Sequence, residues 1–408
     1  MVRLLVPWDL YATVTRDGAV IAEDEEGARL LGVEEAVTRA LKVLRRGGVV
    51  VIDEFQRLPE RHWQLLSIAH PEGQLVLVAS SLGIVARVFS RNSPLLGLVA
   101  PERIDIIRLG DAVVSLAPRL GPRRAVLWGV LLREPWLTSM PGVLRGEPWS
   151  WVAENAQLLY GVAQSLVGEV FSEEERRLTR LYDAVLRLLG DGVWDAKALA
   201  ARLYERGLIE SPSPSTVTGV LDKLASMGLV TRTRLWRTRG RRIYYRHASP
   251  LLGIIYGLVE RHAVDEYPAP VGSLENSSLS LYSRELQFSL AELLAEHHEG
   301  LPAYTILPGG RGDVDIVVLD KRARRPLAAY EVKLGTCSRE DYSKALERAR
   351  AVAAERAGII CLKHPLDEPP RGLELLGPEE IHRIAVETAR KITPTSPGVE
   401  PSSREEPQ

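Results

Sequence analysis

The sequence is poor in cysteine, in long apolar runs and in net charge. Its two cysteines, Cys337 and Cys361, have no metal-ligand spacing, which excludes a zinc-rich or disulfide-rich scaffold. We therefore expect a cytoplasmic, reducing setting in which they stay unpaired. No apolar run reaches the roughly 18 to 20 residues of a membrane helix, and no signal peptide is evident, so no membrane partner is expected. The formal net charge of −1 identifies no partner by itself.

The composition is ordinary for a globular protein, with 45% hydrophobic and 26% charged residues in a chain of 408. Apolar periodicity and Pro/Gly-rich breaks predict an α/β multidomain chain with four blocks, residues 1–120, 121–175, 176–265 and 274–392. Residues 268–273 are expected to form a linker, and residues 393–408, rich in Pro, Ser and Glu, a disordered tail. Arginine outnumbers lysine while Asn and Gln are sparse, which is compatible with a thermophile.

The clearest chemical signal lies in the fourth block. Asp313 and Asp315 open an apolar strand segment, and a second segment carries Glu331 and Lys333. The turn-prone residues 321–326 separate the two segments, so a hairpin would place Asp315 beside Glu331, with Lys333 on the same strand face. Two carboxylates and an ammonium group are typical of a site that holds Mg²⁺ or Mn²⁺ against a phosphodiester. Because Gly312 precedes Asp313, we expect Asp313 to lie in a solvated turn.

This arrangement resembles the core of the PD-(D/E)xK nuclease superfamily. The resemblance implies a nuclease-like α/β domain in which Asp315 and Glu331 bind the metal and Lys333 stabilises charge on the phosphate. It also implies a glutamate on the preceding helix, for which Glu285 and Glu292 are both candidates, and Glu285 is preferred on its distance from the next strand. A second interpretation is a relic that keeps the fold without the chemistry.

Polar residues also follow two apolar strand segments in the first block. Residues 47–54 end in Asp53 and Glu54, and residues 74–81 end in Ser80 and Ser81. A helical segment at residues 60–69 lies between them, which predicts a parallel sheet. Parallel sheets bind ligands at the carboxyl ends of their strands, so these four residues are candidate cofactor ligands.

The acidic pair resembles a Walker B site followed by a sensor position. With residues 55–59 and 93–97, it resembles the archaeal ATPase family, whose members combine an AAA-like P-loop module with a winged helix. The chain contains no Gly-x-x-x-x-Gly-Lys-Ser/Thr loop, so Asp53 and Glu54 are not expected to hold ATP by themselves. The ATPase module is therefore either degenerate or lacks its N-terminal part in this sequence.

The second and third blocks are expected to be a helical lid and a winged helix. Trp128 and Trp151 fit the core of the lid. In the third block, Asp195 and Ser213 are predicted N-caps of two helices, the second of them the recognition helix. A hairpin follows around residues 239–240 with no acidic residue between Thr231 and Arg246.

The hairpin is expected to bind DNA through its arginines, because guanidinium groups among aromatic side chains are typical of a phosphate-tracking surface. These candidates are Arg232, Arg234, Arg237, Arg239, Arg241, Arg242 and Arg246. The alternative is docking to a protein partner or to a second copy. In the fourth block, Ser338 and Asp341 predict a capping box, and Lys344 and Arg348 are expected on a solvated, ion-paired helix face more than on DNA.

Overall fold

The computed structural model describes residues 7–68, 73–79, 88, 90–100, 102, 104–171, 176–236, 242–267, 269–305 and 313–392. The chain divides into two compact units, Met1–Asp105 and Ile106–Gln408. Among the described helices, none combines the length and apolar character needed to cross a membrane. Each unit is considered separately.

The first unit is built on a five-stranded sheet. Its strands are β1 (Leu10–Val14), β2 (Ala19–Asp24), β3 (Gly27–Gly32), β4 (Val49–Asp53) and β5 (Gln74–Leu77), arranged in the order β3-β2-β1-β4-β5. Strands β1, β2 and β3 form an antiparallel meander, whereas β4 is parallel to both β1 and β5. Helices α1 (Val33–Arg45) and α2 (Glu60–Ile68) connect these strands. The predicted parallel strands and the helix between them are confirmed.

Local sequence explains the main elements of this unit. The β-branched residues of β4 favour an extended chain, and Val50 and Val51 are fully buried. On α1 the buried positions Ala36, Val37, Ala40 and Leu44 recur at helical spacing. Asp53 is the last residue of β4 and thus lies where the parallel strand β4 ends.

The second unit is mainly helical. Its helices are α3 (Leu109–Leu120), α4 (Pro122–Leu131), α5 (Pro148–Phe171), α6 (Arg176–Gly190), α7 (Ala196–Glu205), α8 (Pro214–Ser226), α9 (Pro250–His262), α10 (Val271–His297), α11 (Arg339–Val352) and α12 (Pro378–Ile392). Helix α3 belongs to this unit, although the sequence placed residues 1–120 in the first block. Helix α10 begins at Val271, inside the expected linker, so residues 271–273 are helical.

The strands of the second unit form a hairpin and a sheet. Strands β6 (Val230–Arg234) and β7 (Ile243–His247) form the antiparallel hairpin. Strands β8 (Leu301–Ala303), β9 (Ile316–Leu319), β10 (Pro326–Lys333), β11 (Arg356–Cys361) and β12 (Leu373–Leu376) form the sheet. Its order is β12-β11-β10-β9-β8, antiparallel from β8 to β10 and parallel from β10 to β12. The predicted hairpin between the Asp315 and Glu331 segments is confirmed.

The largest of the apolar clusters among the described residues of the second unit extends from its helices to the sheet. It includes Trp128 and Trp151, whose rings meet at 5.8 Å in an edge contact, so the prediction that they are core residues is confirmed. The same core includes Leu286 and Leu290 of α10 and Ile316 of β9. Helix α10 therefore packs the hairpin region and the sheet into one body.

The helix predictions of the third block are confirmed. Asp195 caps α7 by accepting hydrogen bonds from the backbone N–H groups of Lys197 and Ala198 at 3.0 and 3.3 Å. Ser213 is the N-cap residue of α8 and makes no side-chain capping bond. Three helices, α6 to α8, thus lead into the hairpin.

Candidate active site and nucleic-acid surface

At the edge of the first unit, Asp53 is occupied by protein donors. Its Oδ2 accepts a hydrogen bond from the Tyr11 hydroxyl on the neighbouring strand at 2.8 Å, and its Oδ1 accepts from the Glu54 backbone N–H at 2.9 Å. Glu54 has a left-handed φ of 54°. Its Oε2 accepts from Gln56 Nε2 at 2.7 Å and lies 3.0 Å from Arg57 Nη2. Both acidic side chains therefore already accept hydrogen bonds from protein groups. Ser80 and Ser81 lie outside the described residues.

Two of the predicted DNA-binding arginines lie on the surface of the hairpin. Arg232 and Arg242 are each 49% exposed in their side chains and pair with Asp222 at 2.6 Å and Asp195 at 3.2 Å. The Arg242 guanidinium also lies 5.4 Å from the Trp194 ring centroid. Arg234 ends β6 opposite Ile243. Arg237, Arg239 and Arg241 lie outside the described residues.

Arg246 has a different environment from the one expected of a DNA-binding residue. Its side chain is only 11% exposed, pairs with Glu292 and lies 4.6 Å from the Phe288 ring centroid. Arg133 binds the second oxygen of Glu292 at 2.8 Å. Burial raises the pKa of Glu292, but the two arginines outweigh burial and hold that pKa below its usual value. Arg246 and Glu292 thus form a structural ion-pair network inside the unit.

Glu285, the preferred helix glutamate, is also directed into the protein interior. It is 1% exposed, and its Oε1 lies 3.2 Å from Arg284 Nη2. Burial raises its pKa, although Arg284 opposes that shift. Among the described residues, no hydrogen bond or ion pair joins Glu285 or Glu292 to Asp315 or Glu331. Glu285 pairs instead with the adjacent Arg284, and Glu292 pairs with Arg133 and Arg246.

The strand carboxylates themselves converge. Asp315 stands immediately before β9, and its Oδ2 accepts a hydrogen bond from the Val332 backbone N–H of β10 at 2.9 Å. Glu331 on β10 is 2% exposed. Arg348 Nη1 donates to both of its oxygens at 2.6 Å and lies 3.8 Å from Asp315 Oδ1. The two acids, which come from different strands, share one guanidinium.

Burial and mutual repulsion set the electrostatics of this pair. Burial raises the pKa of Asp315, and the neighbouring Asp313 raises it further, while the Val332 hydrogen bond lowers it. Burial also raises the pKa of Glu331, and the charge of Asp315 adds to that effect against the opposing Arg348. Burial therefore disfavours the charged form of each acid, and the Arg348 guanidinium opposes that effect.

Lys333 lies two residues after Glu331 and thus on the same face of β10. Its Nζ pairs with Asp341 Oδ1 at 2.7 Å. Asp341 also caps α11, where its Oδ2 accepts from the Ser338 N–H and hydroxyl at 3.0 Å. The predicted capping box is confirmed, and it fixes the helix that carries Arg348.

The hairpin is joined to the sheet near these acids. Trp236, just after β6, donates its N–H to the Tyr304 carbonyl at 3.0 Å, and Leu235 forms a parallel bridge with Tyr304. The Tyr304 ring lies 4.3 Å from that of Tyr244 on β7, and its hydroxyl donates to Asp313 Oδ2 at 3.1 Å. Asp313 is therefore bonded and half-buried, and its expected placement in a solvated turn is wrong.

The cysteines also depart from expectation. Cys337 and Cys361 form a disulfide with a Cα–Cα distance of 6.0 Å. Cys337 directly precedes the capping box of α11, and Cys361 lies opposite Lys333 in the sheet. The expectation that they stay unpaired is wrong. The bridge ties the start of α11 to β11 beside the carboxylate pair.

Sequence reasoning missed the role of Arg348. It was expected on a solvated ion-paired face, yet its side chain is 14% exposed and contacts the strand acids. The available signal was helical spacing, because Asp341, Lys344 and Arg348 recur at three and four residues and share one helix face. That face points to the lysine strand, since Lys333 binds Asp341.

Comparisons with known proteins give partial structural similarities. No known family profile matches the sequence, and no curated protein matches it. The solved structure of the Aeropyrum pernix ORC2 protein (ADPNP-ADP complexes) is 15% identical, with 62% of this chain and 70% of that chain covered and a TM-score of 0.32. That of the Aeropyrum pernix ORC1 protein in complex with DNA is 20% identical, with 58% and 70% covered and a TM-score of 0.23. Both TM-scores are low, so these similarities assign neither a family nor a function.

Proposed function

We propose that the second unit is a metal-dependent phosphodiesterase of the PD-(D/E)xK type that acts on DNA. The observation that carries the proposal is the convergence of Asp315 and Glu331, from two adjacent strands, on one Arg348 nitrogen. Lys333 adds an ammonium group on the face that Glu331 occupies. The preceding helix, the Asp strand, the Glu-x-Lys strand and the following helix occur in the order that the sequence resemblance implies.

Asp315 and Glu331 offer two carboxylates to a divalent cation, and the described residues contain no group of three or more His, Cys, Asp or Glu side chains that could hold one. Asp315 and Glu331 would hold it, because Mg²⁺ is usually bound by one or two carboxylates together with waters and substrate phosphates. When bound, such a cation supplies an activated water and offsets charge on the phosphate. Lys333 would stabilise the negative charge that grows on the phosphate oxygens during hydrolysis. Glu285 and Glu292 stay candidates for the helix glutamate: Glu292 pairs with Arg133 and Arg246, as Glu331 pairs with Arg348, and the buried Oε2 of Glu285 has no hydrogen-bond partner among the described residues.

The hairpin supports DNA as the substrate class. Helices α6 to α8 followed by β6 and β7 resemble a winged helix, in which a helix and a hairpin together contact groove and backbone. Arg232 and Arg242 are half-exposed, and surface ion pairs of this kind contribute only about 0–1 kcal/mol, so DNA phosphates can replace their carboxylate partners. The bonds of Tyr304 connect the end of β6 with Asp313, which lies two residues before the proposed catalytic Asp315.

ATP has no place in the proposed reaction. Asp53 and Glu54 are paired with protein donors, and no phosphate-binding loop with its lysine occurs in the sequence. After β1 the chain turns back into the antiparallel strand β2, with Thr15 donating its N–H to the Ala19 carbonyl at 2.9 Å. Among the described residues, Asp53 and Glu54 therefore offer no free carboxylate to a nucleoside triphosphate.

The test is cleavage of end-labelled duplex and single-stranded DNA in Mn²⁺, in Mg²⁺ and in EDTA. We expect wild-type protein to cleave only with a divalent cation, and Glu331→Gln and Lys333→Met to lose about 100-fold or more, as when one charge-stabilising group is removed from an active site. Asp320→Asn is the matched control, because Asp320 lies at the other end of β9 and bonds only to its own turn. Equal cleavage by the wild type and Glu331→Gln would refute the proposal.

A second candidate function is DNA or protein binding without catalysis. It is favoured by Arg348, which already satisfies both oxygens of Glu331. A protein of this kind would bind DNA with a strong salt dependence and leave it intact in Mn²⁺. Replacing Arg232 and Arg242 by Ala distinguishes the two forms of this candidate. If the hairpin binds DNA, the double variant loses DNA binding and keeps its protein interactions.

A further inference from the structure

We propose that Arg348 is an internal counter-ion that competes with the divalent cation for Asp315 and Glu331, so that the site binds metal only when this guanidinium leaves. The inference rests on the proposed function of the same site. It concerns how the site is regulated, and it assigns to Arg348 a role that neither the motif nor the resemblance contains.

The Arg348 guanidinium stands where a divalent cation bound by both oxygens of Glu331 would stand. Arg348 Nη1 lies 2.6 Å from each oxygen of Glu331, which is the position of a cation that both oxygens would bind. It also lies 3.8 Å from Asp315 Oδ1, the nearer oxygen of the second acid. A Mg²⁺ ion sits about 2.1 Å from its oxygen ligands, which would bring it into contact with the guanidinium. Two like charges at that distance cannot share the site.

Burial makes the competition strong. Glu331 is 3% exposed in its side chain and Arg348 is 14% exposed, so water screens their interaction poorly. Removing one partner of a buried pair leaves the other without compensation. Arg348 therefore stabilises the charged form of Glu331 when no metal is bound.

The position of Arg348 on α11 also limits how it can leave. The capping box of Ser338 and Asp341 and the Cys337–Cys361 disulfide fix the start of this helix, so release must come from rotation of the long side chain. A released guanidinium needs an anionic partner, and a phosphodiester oxygen is one that planar guanidinium groups bind well. Substrate and metal are therefore expected to bind cooperatively.

The test is Mn²⁺ binding by the full-length protein without DNA, measured by calorimetry and by electron paramagnetic resonance of free Mn²⁺. We expect Arg348→Gln to bind Mn²⁺ at least about tenfold more tightly than the wild type, equivalent to about 1.4 kcal/mol. Arg350→Gln removes the same charge from an exposed position of the same helix and is expected to leave the affinity unchanged. Arg348→Lys, which keeps a charge, is expected to lie between these values and serves if the glutamine variant does not fold.

Thermal unfolding in EDTA gives an independent readout. Arg348→Gln is expected to melt below the wild type in EDTA and to recover more than the wild type when Mn²⁺ is added. Equal Mn²⁺ affinities for wild type and Arg348→Gln, with binding abolished by Asp315→Asn, would overturn the Arg348 proposal and leave the proposed function standing. Absence of Mn²⁺ binding in every variant would overturn both.

Discussion

Glu331 presents both carboxylate oxygens to a single nitrogen of Arg348, each at 2.6 Å. Glu331 lies on β10 and Arg348 on α11, and 16 intervening residues contain the end of the strand, the disulfide cysteine Cys337 and the helix cap. Through this pair, the position of the helix determines where a positive charge lies beside Glu331 and Asp315.

Replacing Arg246 is expected to lower stability, whereas replacing Arg242 is expected to weaken DNA binding. Arg246→Ala would leave the partly exposed Glu292 with one of its two arginines, so we expect a loss of about 1.5–3 kcal/mol in the free energy of unfolding. Arg242→Ala, at a half-exposed site, is expected to change stability by less than about 1 kcal/mol.

The matching measurement is a salt titration of DNA affinity for folded protein. Arg242→Ala is expected to weaken binding and to reduce the slope of log affinity against log salt by about 0.9, the value for one phosphate contact. A large loss of stability in Arg242→Ala, or an unchanged slope, would contradict the surface assignment.

A glycine contact between α6 and α9 is expected to tolerate no side chain. A Cβ at Gly190 would lie 2.5 Å from the backbone nitrogen of Gly257. We expect Gly190→Ala to cost about 3 kcal/mol, because backbone atoms cannot move aside as side chains do. Gly161→Ala on α5 is the control, since nothing lies within 4 Å of that Cβ, and it is expected to stabilise by up to about 1 kcal/mol. Denaturant unfolding of both variants measures the difference.

The buried His247 predicts a loss of stability in acid. Burial lowers its pKa to about 4, against an unperturbed 6.5, although the hydrogen bond to the Leu186 carbonyl opposes the shift. Between pH 6.5 and about 4, the His247 imidazole binds a proton in the unfolded chain but stays neutral in the folded chain. Stability therefore falls between pH 6.5 and about 4, by at most roughly 3 kcal/mol from this group.

Unfolding of His247→Phe at several pH values isolates that contribution. The variant is expected to be less stable at neutral pH, because Leu186 loses its donor, but to show a smaller fall between pH 6.5 and 4. Parallel stability curves for the wild type and His247→Phe would show that His247 is not the group responsible.

The disulfide is expected to stabilise the second unit in oxidising buffer. Cys337 and Cys361 are 24 residues apart, and closing a loop of that size contributes about 3 kcal/mol in the chain-entropy description. The melting temperature of the wild type should fall when dithiothreitol is added, whereas that of Cys337→Ser should not respond. A wild-type melting temperature that is insensitive to reductant would contradict the bridge.

Features encoded by neighbouring residues were predictable from the sequence. The run of valines in β4 predicted a buried parallel strand, and Asp195 and the Ser338–Asp341 pair predicted helix starts. Each depends on backbone preference or on a hydrogen bond within one helical turn. The Asp315 and Glu331 pairing was also predictable, because one turn brings their strands together.

Features that depend on contacts between distant segments were not predictable. Arg246 carries the same sequence signal as Arg242, and only the packing of β7 against α10 shows that it binds Glu292. Likewise, the sequence shows Glu292 as an acidic residue on the expected helix, and only the packing of that helix shows its pairing with Arg133 and Arg246. The pairing of Cys337 with Cys361 required the register of β10 and β11.

The central claim is that Asp315 and Glu331 form a metal-dependent phosphodiesterase site. Its most direct test is the initial rate of DNA cleavage in Mn²⁺ by Asp315→Asn, compared with the wild type and the Asp320→Asn control. We predict metal-dependent cleavage by the wild type and by Asp320→Asn, and a rate at least about 100-fold lower for Asp315→Asn. Cleavage by Asp315→Asn at the wild-type rate, or no cleavage by folded wild type in Mn²⁺, would contradict the claim.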